Sequence, residues 1–137
     1  MYKRILAAVD NSPRSDRVLE TVENLAKLTG AAVDVVHVGA SQVVYDTVVQ
    51  VEDEQEAQAV IDNALARLKE AGVAARGELL TGLRGDISDI IVDRAQEFGT
   101  DLIVLGPAHH TQIGVLIGES VSEKVALHTP TSVLLAV

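Results

Sequence analysis

The chain has 137 residues, the size of one domain, so a second catalytic module is excluded. Hydrophobic residues make up 47% but aromatics only 2%, so the core has to be built from Val, Ile, Leu and Ala, as buried parallel strands and their covering helices are. Eleven Lys and Arg against twenty Asp and Glu leave a net charge of -9 with no basic cluster, which argues against nucleic acid as a partner; the absence of Cys removes disulfides, thiolate zinc sites, iron–sulfur clusters and a cysteine nucleophile together.

The first apolar run, Ile5 to Val9, is shorter than the roughly seven to fifteen residues of a signal peptide. Asp10, Asp34, Asp86 and Asp101 keep every other run below the roughly 18 residues that span a bilayer. A cytoplasmic protein with no membrane partner is expected. Ile5 to Val9 itself reads as a central strand, apolar on both faces and stopped by the turn cluster Asp10-Asn11-Ser12-Pro13. Ser12 before Pro13 is a helix start signal. Val18, Leu19, Val22, Leu25, Ala26 and Leu28 recur at helical spacing until Gly30.

Ala32 to Val38 predicts a second strand, and Gly39 to Val51 a flap over the crevice or an interaction surface, with no clear helix or hairpin turn. The acidic run Glu52, Asp53, Glu54 and Glu56 opens a helix carrying Ala57, Val60, Ile61, Ala64, Leu65 and Leu68, where the macrodipole favours anions. Val73 to Thr81 reads as the third strand. Asp86 is expected to cap a helix through Ile87, Ile90, Ile91, Ala95 and Phe98 to Gly99, before a fourth strand at Leu102 to Leu105. Ser120-Val121-Ser122-Glu123 has the capping-box pattern, its helix running through His128 to Pro130, and Ser132 to Val137 is the last strand.

Strands alternating with helices require an α/β fold: a parallel five-stranded sheet, helices on both faces, as one domain over residues 1–137. Such sheets bind ligands at the carboxyl ends of their strands, here Asp10, Val38 and Gly106. Asp10 can accept from a ribose hydroxyl or an adenine amino group, or can cap the following turn. Arg14 and Arg84 are placed to approach a phosphate or to pair with surface acids. His37 and His128 read as structural. Adjacent His109 and His110 cannot readily share one metal ion and no carboxylate cluster completes a site, so no metal is expected.

Three segments, Arg4 to Ser12, Asp101 to His109 and Glu119 to Leu134, together with a second strand ending in His37-Val38, resemble the universal stress protein family over essentially the whole chain. The resemblance implies strand order 3-2-1-4-5 and a homodimer paired through the last strand, residues 132–137. A terminal strand with Val133, Leu134, Leu135 and Val137 would also be a hydrophobic edge if left unpaired. Some members bind ATP and others do not. In the binders an Asp after strand 1 and the backbone at the end of strand 2 hold adenosine, and a loop GxxGx9G[ST] holds ribose and phosphates.

By position these roles fall on Asp10, Val38, Leu105, Gly106, Ser120 and Val121, but His109 and Glu119 stand where the loop has its second and third glycines. Glu119 places a carboxylate where a phosphate would lie, and unit charges about 4 Å apart repel by about 4 kcal/mol at an effective dielectric near 20, about a thousandfold in affinity. Gly118 could serve instead through a shifted turn, and a protonated His109 or His110 could compensate. The expected protein is a dimeric stress-response regulator with a degenerate adenine-nucleotide site and weak or no ATP binding; the alternative is an ATP or AMP sensor using Gly106, Gly118 and Ser120. No cofactor is required. No catalytic motif such as GxxxxGK[ST], GxSxG or HExxH is present, so enzymatic activity is not expected.

Overall fold

The structure, a computed structural model, describes residues 1–50, 53–106 and 121–137, with backbone alone at 40–44, 49, 50 and 84. Strand β1 (Arg4–Ala8) leads into helix α1 (Arg14–Thr29); β2 (Ala32–Val44), β3 (Thr47–Gln50) and α2 (Glu54–Glu70) follow. Next come β4 (Ala75–Leu83), a 3-10 turn at Arg84–Asp86, α3 (Ile87–Phe98), β5 (Leu102–Leu105), α4 (Val121–His128) and β6 (Ser132–Leu135). The parallel strands lie in the order β4-β2-β1-β5-β6. This is the arrangement the resemblance implies, once the additional antiparallel strand β3 is set aside.

The sheet explains why β1 is apolar from Ile5 to Ala8. Alternate side chains point to opposite faces, so Ile5 and Ala7 join a core with Val18, Val22, Ile61 and Leu68 of α1 and α2. Leu6, between them, packs with Ile91, Val92, Ala95 and Val125 of α3 and α4. The α1 and α3 stripes end where glycine turns left-handed, at Gly30 (φ 75) and Gly99 (φ 69), a conformation that costs a residue with a Cβ.

Three local expectations are corrected. The stretch from Gly39, expected to lack a clear hairpin turn, forms one: β2 runs on to Val44, turns at Tyr45-Asp46 and returns as β3, with Val44 opposite Thr47 and Ser41 opposite Gln50. Both turn residues have positive φ, 49 and 62, the requirement of the two-residue turn that matches strand twist. Asn-Gly is the usual signal for that turn, and Tyr-Asp hid it. Ser12 does not cap α1; its hydroxyl is buried with no hydrogen-bond partner among the described residues, and Pro13 occupies the cap position without a side-chain bond. Asp86 also makes no capping bond, because the preceding 3-10 turn leaves it at φ -103, ψ 0. At the acidic helix start it is Asp53 that caps, its carboxylate accepting from Gln55 N–H at 3.2 Å.

Candidate functional site

The amino ends of the strands form a closed charge network. Asp34, 2% exposed on β2, accepts from Arg4 Nε at 2.8 Å and Nη2 at 3.3 Å and from Arg76 Nε. The guanidinium carbons of Arg76, Arg4 and Arg94 lie 4.6, 5.5 and 5.7 Å from the centroid of the Phe98 ring, within cation–π range. Asp101 takes the backbone N–H groups of Lys3 at 2.7 Å and Arg4 at 3.1 Å. A cavity of about 180 Å³ beside this cluster is lined by Asp34, Arg76, Gly77, Glu78 and Phe98. Its polar lining is committed: Glu78 pairs with Arg94 at 3.3 Å and Asp34 with Arg4 and Arg76.

The carboxyl ends are organised differently. Asp10 lies exposed just beyond β1, where its Oδ1 accepts from Ser12 N–H at 3.0 Å and lies 3.0 Å from the Ser15 hydroxyl. The Ser15 oxygen accepts from Asp10 N–H at 2.8 Å. The turn-capping role of Asp10 is thus present. Ser15, which the sequence reading passed over, is the residue that closes the turn; an Asp followed five residues later by Ser at the helix start was the available signal.

His37 is buried, and its Nδ1–H donates to the Val9 carbonyl at 2.8 Å. A carbonyl only accepts, so Nδ1 carries the proton. The residue is structural, as expected, but it does more than pack: it ties the end of β1 to β2 beside Asp10. Gly106 closes β5 against α1. A Cβ there would sit 3.6 Å from Arg14 Cβ and 3.8 Å from Val18 Cγ2, so the glycine brings the β5 end close to the start of the helix that carries exposed Arg14.

Strand pairing determines which groups face the crevice. Val9 N–H donates to the Val36 carbonyl at 3.0 Å, so Val36 directs its peptide groups toward β1. A strand repeats every second residue, hence Val38 directs its N–H and C=O the same way. Beyond the tight turn, Val44 and Thr47 form a hydrogen-bonded pair. Counting back along β2 gives Gln42, Ala40 and again Val38 on the same side. The β1 ladder stops at Val36 and the β3 ladder starts at Ser41, so neither covers Val38. Its donor and acceptor face the stretch between the two ladders, with no bond formed to them on that edge among the described residues.

The structure therefore brings together Asp10, Val38 and Gly106. Leu105 contributes to the core at 4% exposure, and its carbonyl accepts from Ala136 N–H at 2.9 Å. Val121, the first residue of α4, is half-buried against the core on the α3 side. His109, His110, Gly118, Glu119 and Ser120 lie outside the described residues, as does the side chain of Arg84, whose backbone begins the 3-10 turn after β4. His128 is exposed in the last turn of α4. Among the described residues no group of three or more His, Cys, Asp or Glu could hold a metal ion. No helix among them is long and apolar enough to cross a membrane.

Residues 1–136 match the family profile described as the universal stress protein family. Universal stress protein A homolog 1 of Coxiella burnetii is 33% identical over 141 aligned residues, covering 99% of this chain and 96% of its own. Among solved structures, the universal stress protein from Archaeoglobus fulgidus superposes with a TM-score of 0.73 at 32% identity, over 98% of this chain and 93% of that one. A structure of the Archaeoglobus fulgidus universal stress protein in complex with dAMP gives 0.71 at 31% identity, over 98% and 97%.

Proposed function

The chain belongs to the universal stress protein family, and on that premise we propose that it is a stress-response regulator whose slot at the carboxyl strand ends takes the adenosine part of a nucleotide and binds ATP only weakly. The observation that carries this reading is the pair of peptide groups at Val38, which neither β1 nor β3 pairs with among the described residues. An adenine edge offers an amino donor at N6 beside an acceptor at N1, which complements one carbonyl and one N–H side by side. The dAMP-bound relative at 31% identity supports the same ligand class. Asp10, at the adjoining strand end, is placed to accept from ribose while its turn bonds hold it in position. Glu119, in place of the third glycine of the phosphate loop, opposes a triphosphate far more than a single phosphate, since repulsion grows with the charge brought beside it.

Titration by calorimetry with AMP and with ATP, with and without magnesium, tests the reading. AMP is expected to bind in the micromolar range and ATP at least tenfold more weakly, with Glu119→Gly narrowing that gap. Absence of heat with both ligands, in wild type and variant alike, would reject the nucleotide slot.

The same reading includes a homodimer. Strand β6 pairs only with β5 among the described residues, and Leu135 and Val137 are 45% and 84% exposed, an edge of the kind that pairing with a second copy covers. A charge on this edge, Leu135→Lys, should convert a dimer to a monomer in analytical ultracentrifugation; an unchanged dimer would place the interface elsewhere.

A further inference from the structure

Strand β4 borders the sheet on the side away from β6, and among the described residues it pairs with β2 alone. Val33 N–H donates to the Ala74 carbonyl at 2.9 Å, so the even-numbered residues of β4 direct their peptide groups to β2. A strand repeats every second residue, and Ala75, Gly77, Leu79, Thr81 and Leu83 therefore direct theirs outward. Gly77 is exposed, and a glycine has only backbone to expose. On the α2 face a Cβ at this position would lie 2.5 Å from Ile61 Cγ2, so the helix closes over that face of the strand while the edge stays open.

Arg76 and Glu78 flank Gly77 on the other face, with side chains 59% and 40% exposed. Charges on an edge strand ordinarily keep other strands away, but these two favour one register of self-pairing. A second β4 laid antiparallel must match outward residues to outward residues, so successive registers differ by two positions. With Gly77 opposite Leu79, Glu78 faces its own copy; with Gly77 opposite Ala75, Arg76 does. Like charges directly opposite destabilise both arrangements. With Gly77 opposite Gly77, Arg76 of each copy faces Glu78 of the other, and Ala75 faces Leu79 on the α2 side. The two Arg–Glu pairs then occupy the non-hydrogen-bonded positions, where opposed Cα atoms are closest, about 4.5 Å apart.

We propose that the β4 edge is a docking surface for a second copy of this chain, paired antiparallel about Gly77. The helices permit it. Because α2 packs on both β2 and β4, its axis runs inside β4 by about half the strand spacing of about 4.8 Å. The two α2 axes would then lie about 10 Å apart, a packing distance for helices. Arg76 holds Asp34 through Nε and Glu78 holds Arg94 through Oε1, so pairing shares these groups and needs more protein than the β6 edge does. With β4 and β6 at opposite borders of the sheet, two-fold contacts at both do not close, and protomers add in an open row.

Complementary charge variants test the register. Sedimentation velocity is run from micromolar to hundreds of micromolar on full-length wild type and on Leu135→Lys, which leaves β4 untouched. Leu135→Lys should be monomeric when dilute and dimeric when concentrated, and wild type should grow from dimer to tetramer and beyond. Added to Leu135→Lys, either Arg76→Glu or Glu78→Arg alone should weaken the association at least tenfold, since each sets like charges opposite each other. An equimolar mixture of the two should restore it to within about threefold, because every opposed pair again joins unlike charges. Circular dichroism and thermal melts confirm folding. If Arg76→Glu fails to fold beside Asp34, Ala75→Pro carries the test: its N–H faces outward, so the β2 ladder is kept while the outer edge is blocked and association should be lost. A Leu135→Lys protein that is dimeric even when dilute, yet separates on Arg76→Glu and reunites in the mixture, would support the β4 surface and displace β6 as the main interface. Leu135→Lys monomeric throughout, association that these variants do not weaken, or folded charge variants whose mixture does not reassociate would overturn it.

Discussion

The two ends of the sheet use the same residue types to opposite effect. At the amino ends, Asp34 is buried and satisfied by Arg4 and Arg76, Asp101 by the backbone of Lys3 and Arg4, and the one Phe is covered by guanidinium groups. At the carboxyl ends, Asp10 is exposed and braces a turn, and β2 passes through a stretch where, among the described residues, neither β1 nor β3 pairs with Val38. A cavity lies beside the first end, yet its charged groups are spent on one another. Unspent hydrogen bonds among the described residues, more than concavity, are the reason we propose the second end as the place for a ligand.

That contrast is open to direct attack. The largest effect is expected from Asp34→Ala, which strips Arg4 and Arg76 of their acceptor and should cost about 3 kcal/mol in urea denaturation, the low end for breaking a buried pair because both arginines keep contact with water. Nucleotide affinity should not move. Gly77→Ala, at the same end, would place a Cβ 2.5 Å from Ile61 Cγ2 and 3.0 Å from Leu65 Cδ1, overpacking worth about 2 kcal/mol, readable as a lowered urea midpoint.

At the carboxyl end, Asp10→Ala should be milder in stability, about 1 kcal/mol for a lost turn cap, but should weaken AMP binding about tenfold, equivalent to about 1.4 kcal/mol. If Asp10→Ala cost as much stability as Asp34→Ala and left AMP affinity unchanged, the division between a spent and an available end would collapse.

The smallest effect tests a site that belongs to neither end. Glu23 has its carboxyl held below the ordinary range, first by the hydrogen bond from Lys27 and further by Arg67. A depressed folded-state pKa contributes stability that is present above the unfolded value and lost as pH falls through the folded one. Glu23→Gln should therefore be slightly less stable than wild type at neutral pH, and the two denaturation curves should converge on acidification. Curves that stay parallel down to the acid range would remove the pairing as the cause.

The parallel sheet was legible because both of its signals are local. Apolar runs such as Ile5 to Val9 and Leu102 to Leu105 are doubly buried strands, and Gly30 and Gly99 punctuate the helices between them. What stayed hidden depended on partners distant in sequence. Asp34 read as an interruption in a strand because nothing nearby announces Arg4 and Arg76, 30 and 42 residues away. The hairpin was missed because its turn is Tyr45-Asp46, a pair that adopts the required φ values only with strain. Of the site, Asp10, Val38 and Gly106 were found as strand ends, while the direction of the Val38 peptide groups needed the register of β1 against β2. Ser15 was overlooked in favour of Ser12, since both suit a helix start and only the fold of the turn separates them.

The phase of the second strand also bears on how the slot could change over generations. Because Val38 shows its peptide to the gap and His37 and Gly39 show theirs to β4, inserting or deleting a single residue between Val36 and Val38 would exchange those roles and present the wrong backbone to a base. Beyond Ser41 no such constraint applies. The hairpin can lengthen or shorten by matched pairs of residues, one on each arm, and leave the base-facing edge in register. A lineage could thus edit the hairpin tip freely, with the recognition edge held constant by the arithmetic of the strand.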